Sequence, residues 1–542
     1  MSQNTWSKAE RWAPLAAGLT FAAMTVIVRY LPMTDLPMHE GMVGIMRHFD
    51  DPKYMPHGLY VRNYGHANQL FYFAALLFSY VVSTSKACEI VVALSQIGMF
   101  VGAARLADYL GRSRWSALLV TPLALGFTFY WGLVANLCGF AAFLLLLPTL
   151  DQGTKDPSLR ATAKVCGALA ILFFAHEAML FCGAGIVGCW ALLHPLGKKT
   201  LARLVPVLFS AVLAVAHQFW VKSLFVKGQP NLGTTYLSFM QRLTLLPNVL
   251  FGSHEVETRL LLFALAAMGV MLYAQWRERS PVKEAPANAF VRGQRFLLHH
   301  RFALVAFLHL VAYFVTPFTY QSATMIHERF LGPAWAIFII IVAPRGPVPR
   351  VGRLLAAIVP IGVFLVSWPQ FLDAHSSYTR LDAVIAKIPY NATVTQATVD
   401  RPKFGTRVYS ASTGPARIVA ERGGRSGLSL SFSPIAPIMI PPEYQWNEYN
   451  ARIAYMGSQT LMPKHDLKHW EWVVAQSRDP AIREAFLIAL GRDADFVMQE
   501  GEYMLFHSKY EIGPMLSPDD PAITGRQDNL LARVKALVTI SN

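Results

Sequence analysis

Apolar runs of roughly 15 to 22 residues recur from the N-terminus to about residue 371, each close to the length needed to cross a bilayer. They predict eleven membrane-spanning helices, at about 13–31, 88–109, 115–131, 135–150, 161–175, 178–194, 201–221, 259–276, 302–318, 331–344 and 354–371. Past that point the apolar runs give way to charges, prolines and short alternations. The pattern therefore divides the chain into a transmembrane domain over 1–372 and a soluble domain over 373–542. Within the soluble part, Tyr378–Lys387 reads as a helix, 388–399 as a turn and strand, and Ala416–Ala420 as a strand before a glycine turn at Gly423 and Gly424. His469–Leu490 reads as a helix and 495–507 as a hairpin, which gives an α/β or α+β domain. The fold class is thus mainly α: a polytopic helix bundle with a C-terminal α/β or α+β domain.

Charge orients the spans. Basic clusters lie at Lys8/Arg11, Arg112/Arg114, Lys155/Arg160/Lys164, Lys198/Lys199/Arg203, 277–301 and Arg345/Arg350/Arg353. With the spans above, all of them fall on one side, and the positive-inside rule makes that side cytoplasmic. The apolar run 68–84 would invert this order if it crossed, so it is read as an interfacial helix in the first outer loop. The N-terminus is then cytoplasmic and the C-terminal domain extracytoplasmic, an arrangement that fits a bacterial inner membrane. The first span lacks a small-residue cleavage site and reads as a retained helix. Segment 280–289 reads as a flexible cytoplasmic loop.

Composition agrees. The chain has 542 residues, of which 54% are hydrophobic and 15% charged, and its mean hydropathy is +0.35. The net charge of +15 sits largely in short loops between spans, so it reads as topology-setting rather than as a nucleic-acid surface. The five cysteines, Cys88, Cys138, Cys166, Cys182 and Cys189, all fall in apolar helices and imply no disulfide framework. No Cys/His metal cluster, phosphate-binding glycine loop or serine-hydrolase elbow is present.

The candidate chemistry concentrates in two outer loops. Residues 34–72 follow the first span and are polar and aromatic. Asp35 stands just past the membrane between Pro32 and Pro37, and His39 follows four residues later. If the stretch is helical, Asp35 and His39 share a face. Asp35 is then a proton acceptor, a contact for a divalent cation, or a helix N-cap. Glu40 is a weaker candidate. Arg62, Tyr64 and His66, with Tyr54, Tyr60 and Asn68, form either a sugar- or phosphate-binding surface or aromatic packing at the interface. Asn136, at the turn between two spans, is a hydroxyl ligand or a cap. His176 and Glu177 interrupt 161–194 and are a site or a means of satisfying the broken helix ends. The loop 321–330 carries His327, Glu328 and Arg329. Arg329 lies outside against the positive-inside trend, and its planar fork suits phosphate, unless Glu328 or a carbonyl holds it.

Asp35-x-Pro37-x-His39 in the first outer loop, the amphipathic and interfacial helices after it, the link Ala104-Arg105-Leu106 … Leu110-Gly111-Arg112 and the C-terminal soluble domain together resemble the C-type glycosyltransferase fold of integral-membrane enzymes. The resemblance covers roughly residues 10–370. It implies a polyprenyl-phosphate-linked sugar as donor, a glycan, lipid or protein of the envelope as acceptor, and reaction on the outer side by inversion. It implies that Asp35 is the general base or a contact for a divalent cation such as Mg or Mn, with His39 in support and Arg329 at the lipid phosphate across a shared pocket. Where some members carry an acid, this chain has Asn136, an amide. A lipid or solute transporter and a non-catalytic scaffold are the competing readings. Against a transporter, the spans show no paired repeats and few charges at mid-membrane depth.

Overall fold

In the computed structural model, the described residues are 7–55, 58–195, 197, 199–224, 233–252, 256–278, 289–320, 323–398, 411–427, 429–431, 433, 435–440, 461–513 and 530–540. Residues 280–288 of the expected loop 280–289, and Gln321 and Ser322 of the loop 321–330, lie outside them, while Ala289 already begins a helix. Contacts group the chain into two units. The first comprises 1–27, 91–220 and 230–368; the second comprises 28–90, 221–229 and 369–542.

The first unit is helical. Among the described residues, five helices are long and apolar enough to cross a membrane: Thr84–Tyr109, Val134–Lys155, Thr200–Leu224, Glu257–Arg277 and Arg350–Ile385. A sixth span results if the bent pair Arg292–His299 and Arg301–Val315 is counted as one. Three of the long helices, Thr84–Tyr109, Thr200–Leu224 and Arg350–Ile385, contribute residues to both units. The expected span 115–131 is not one helix. It is a 3-10 turn at Arg114–Val120 followed by the short helices Thr121–Ala124 and Phe127–Trp131. Pro122 and Gly126 interrupt it, and a Cβ on Gly126 would lie 1.9 Å from the Leu250 carbonyl oxygen. The expected break inside 161–194 is present, with helices Leu159–Ala175 and Glu177–Leu193 meeting at His176. The first helix runs Lys8–Ile27, and its buried Glu10 accepts from the Ser113 hydroxyl and from the Arg114 amide at 3.1 Å.

The second unit carries a five-stranded mixed sheet. Its strand order is Arg425–Ser426, Thr393–Thr398, Trp472–Gln476, Tyr503–Ser508, Ala494–Glu500. The first three run parallel, and the remaining pairs are antiparallel. One core joins Ala397, Val473, Met504 and Phe506 to Phe486, Leu490 and Leu530; the other joins Val394, Val474 and Leu505 to Tyr378, Leu381 and Ile418. Alternate residues of the strands thus feed helices on both faces. The hairpin and the glycine turn are where the pattern placed them. Three local expectations are corrected. The helix expected at Tyr378–Lys387 is the tail of Arg350–Ile385, since no breaker separates it from the span. Ala416–Ala420 is not a strand but the junction of a 3-10 turn, Ala411–Arg417, with the helix Ile418–Arg422. His469–Leu490 splits into the strand Trp472–Gln476 and the helix Pro480–Leu490, because Asp479 caps the helix through the Ala481 amide and Pro480 starts it.

The stretch 34–72, expected above to be the first outer loop, belongs to this unit. It carries the helix Leu36–Arg47 and the start of the helix Leu70–Ser79. At 1.5 Å per residue the second is about 15 Å long, half of what a span requires. Gly41 and Gly44 let Leu36–Arg47 press directly onto residues 416–420. A Cβ on Gly44 would come within 2.5 Å of the Ala420 Cα, which is backbone and cannot swing aside. Gly44→Val should therefore cost about 1–3 kcal/mol. Gly185→Val, where a Cβ would meet nothing within 4 Å, should be near neutral. Thermal unfolding of the two variants in detergent compares them directly; equal melting temperatures would contradict this packing.

Candidate functional site

In the second unit, Asp35 occupies the N-cap position of Leu36–Arg47, yet its side chain makes no capping bond. The partly exposed carboxylate is near enough to Tyr72 for its charge to help hold that phenol in the protonated form. Burial is the larger cause of the upward shift at Tyr72, and the charges of Cys88 and Asp35 add to it. His39, one turn after Asp35, has its Nδ1 at 2.7 Å from the Tyr72 hydroxyl, and its ring packs on Phe71 and Tyr72 with centroids 5.9 and 5.5 Å away. A phenol that stays protonated donates to Nδ1 and leaves the imidazole proton on Nε2. Asp35, His39 and Tyr72 thus form a corner in which one carboxylate is not spent on capping and the imidazole orientation is set.

Glu40 lies on the opposite, buried face of the same helix. Its Oε2 accepts from Arg417 Nε at 2.9 Å, and both side chains are almost fully enclosed. Arg417 also donates to Glu421 at 2.9 Å, approaches Ser85 at 3.4 Å and Asp382 at 3.5 Å, and stacks 3.7 Å over the Tyr30 ring. Burial raises the Glu40 carboxyl above its usual range, and the Arg417 guanidinium beside it opposes that. Arg417 itself is held more firmly protonated than usual; burial opposes this, and Glu40, Tyr30, Glu421 and Asp382 outweigh it.

The remaining candidates of this loop are tied to protein. Arg62 donates to Asp50 at 2.5 Å and lies 4.3 Å over the Phe49 ring. Tyr64 packs edge-on against Phe73 at 5.3 Å. His66 is enclosed, with Nε2 at 2.8 Å from the Asn63 Oδ1. Val61–Arg62 pairs with Ile438–Met439, and Gln69 bridges the Asn63 and Ile435 carbonyls, so backbone pairing shapes this loop.

In the first unit a second group assembles. His176 accepts from the Ala178 amide at 3.1 Å and so caps Glu177–Leu193. Burial and then the Arg329 charge keep His176 neutral, well below its ordinary range. Burial lowers Arg329 too, and Glu177 and Glu328 counter it. Glu177 accepts from Gln218 at 2.8 Å. Glu328, in the first turn of Glu328–Ile341 and ahead of the apolar run from Leu331, is pushed up to about 8 by burial, against the pull of Arg329. Arg329 is thus electrostatically linked to His176, Glu177 and Glu328. Asn136 is buried in the first turn of Val134–Lys155. Three residues on, Gly139 admits His176, since a Cβ there would lie 2.7 Å from the histidine Cβ. His327 stands apart. It stacks on Tyr313 at 5.3 Å, meets Phe318, and among the described residues has no hydrogen-bond partner at either ring nitrogen. Burial and then the Arg242 charge push it down to about 4.

Asp35 belongs to the second unit and Arg329 to the first. Among the described residues no three His, Cys, Asp or Glu side chains converge closely enough to hold a metal ion. Reading the sequence alone missed Tyr72 as the partner of His39, and it missed Arg417. The first lay within the loop already singled out. The second sits 377 positions from Glu40 with no motif around it.

No protein-family model and no curated protein matches the chain. Among solved structures it is similar to the arabinofuranosyltransferase AftD from mycobacteria, seen by single-particle cryo-electron microscopy, with a TM-score of 0.49 and 14% identical residues. The likeness covers 94% of this chain and 40% of that one, so the chain spans well under half of its length.

Two predictions follow from these clusters. Arg417→Met leaves Glu40 buried without a counter-charge and should cost about 3–5 kcal/mol, whereas Glu40→Met/Arg417→Met should recover much of it. Thermal melts of the single and double variants measure this; a double variant no better than the single would contradict it. For Glu328 the folded state raises the pKa, so it binds the proton more tightly than the unfolded chain does. Its stabilising contribution is complete below about pH 4.5 and is lost as pH rises toward about 8. Glu328→Gln should flatten the decline in melting temperature across that window, and an unchanged slope would contradict the assignment.

Proposed function

We propose that the protein is a membrane glycosyltransferase that moves a sugar from a polyprenyl-phosphate donor to an envelope acceptor on the extracytoplasmic side. The observation that carries this reading is the state of Asp35. It holds the N-cap position at the start of a rigidly docked helix, yet its carboxylate does not cap. The resemblance of the first outer loop to C-type glycosyltransferases gives that carboxylate its task.

The acceptor hydroxyl oxygen forms the new bond to the anomeric carbon. The bond from that carbon to the phosphate oxygen breaks, and its electron pair leaves with the lipid phosphate. Asp35 takes the hydroxyl proton. The phosphate is already a good leaving group, so orientation and one proton transfer supply most of what the protein must add. His39, oriented by Tyr72, hydrogen-bonds a sugar or acceptor hydroxyl through Nε2. Arg329, in the first unit, is a candidate phosphate contact in its own right, and Glu328, protonated up to about pH 8, adds a donor beside it instead of a repelling charge. In this reading Glu40 is a positioning residue beneath the Asp35 helix.

Asp35→Asn should keep the fold and lower transfer by about 10²–10⁴-fold. Arg329→Lys should weaken use of the donor by about 10–100-fold, because a single ammonium replaces a paired charged contact. A panel of polyprenyl-phosphate sugars given to membranes containing each variant, with released polyprenyl phosphate read by thin-layer chromatography, measures both. Wild-type turnover in Asp35→Asn would remove it as the base.

A further inference from the structure

Within the helix Ala289–His299, residues Arg292–His299 are bent by 75° from Arg301–Val315, and the two pass as a span only when taken together. Eleven residues make about 16 Å of helix, well short of a bilayer. If Arg301–Val315 enters the membrane steeply, the bend lays the preceding helix along the membrane surface. Arg292, Arg295 and His299 follow an i, i+3, i+7 spacing and share one face. All three are exposed, and none has an acidic partner among the described residues. Phe296, beside them on the helix, is 62% exposed.

The helix is held from its other side. Gln294 donates to the Leu193 carbonyl at 3.0 Å, and Arg301 donates to the Leu298 carbonyl at 2.8 Å. Arg301 grips Asp151 with two bonds of 2.7 and 2.8 Å, and Asp151 also takes Tyr109 at 2.6 Å and Lys155 at 2.8 Å. The bend is thus fixed by a buried charge cluster, and the unpaired basic face is presented in a fixed orientation. A cluster that served only to set topology during insertion would need no such scaffold.

We propose that this helix is a surface cradle for anionic phospholipid headgroups. Arg292 and Arg295 take the phosphates, and Phe296 seats at the boundary between headgroups and acyl chains. The proposal does not depend on the glycosyltransferase reading.

The test uses the full chain, purified in detergent and incubated with an equimolar mixture of phosphatidylglycerol and phosphatidylcholine, with retained lipids counted by native mass spectrometry. The wild type should retain phosphatidylglycerol preferentially. Arg292→Gln/Arg295→Gln should lower that retention about 25-fold, at roughly fivefold per arginine, and leave phosphatidylcholine unchanged. Its melting temperature should not move, because neither arginine makes a bond that the fold needs. Equal retention of both lipids by the wild type, or an undiminished preference in the double variant, would overturn the proposal. So would displacement of the lipid by millimolar inorganic phosphate, which would mark a site for a soluble anion.

Discussion

The second unit depends on one guanidinium. Arg417 is enclosed among three carboxylates, two of them from other segments: Glu40 of the loop helix Leu36–Arg47 and Asp382 of the long helix tail, with Glu421 one turn further along its own segment. Taking any of these charges out of water alone is costly, and together without a cation they would repel. With Arg417 in place the same charges lock the loop helix, the long helix and the 411–422 segment into one arrangement. The Tyr30 ring beneath the guanidinium completes the enclosure and adds a cation–π contact.

That lock has a consequence for the outer face of the loop helix. Because Glu40 and the glycines at 41 and 44 fix its buried side, Asp35 and His39 are presented on a rigid element. Under the proposed reading of Asp35 as proton acceptor, such rigid presentation matters, since small displacements weaken catalysis steeply. The tyrosine that orients His39 comes from the next short helix, so two pieces of the same loop define the corner. The residues between them, Arg62 to His66, are engaged in building the loop.

In the first unit the polar residues cluster where helices break. A broken helix exposes amides and carbonyls that lipid cannot satisfy. His176 answers this at one break by capping. Arg242 answers it at another by donating to the carbonyls of Leu237, Tyr313 and Thr316. Arg329, Glu177 and Glu328 gather in the same unit, where partial burial raises the carboxyl of Glu328 and weakens the hold of Arg329 on its proton. Structural need and chemical opportunity coincide at such breaks, because both call for polar groups at the edge of an apolar bundle.

The sequence alone determined the mainly helical, apolar character with several candidate spans, the break at His176, a helix too short to cross within 68–84, the hairpin and the glycine turn. Each follows from local information: run length, a polar interruption, period-two alternation or a residue able to hold positive φ. It also singled out the loop that holds Asp35 and His39. Only the tertiary structure decided that 115–131 bends into three pieces, that Ala416–Ala420 turns as it meets the loop helix, and that Glu40 faces inward to Arg417 while Asp35 leaves its helix uncapped. These outcomes rest on contacts between residues distant in the chain. No periodicity or propensity encodes which carboxylate a buried arginine will neutralise, or where a glycine must make room for another segment's backbone.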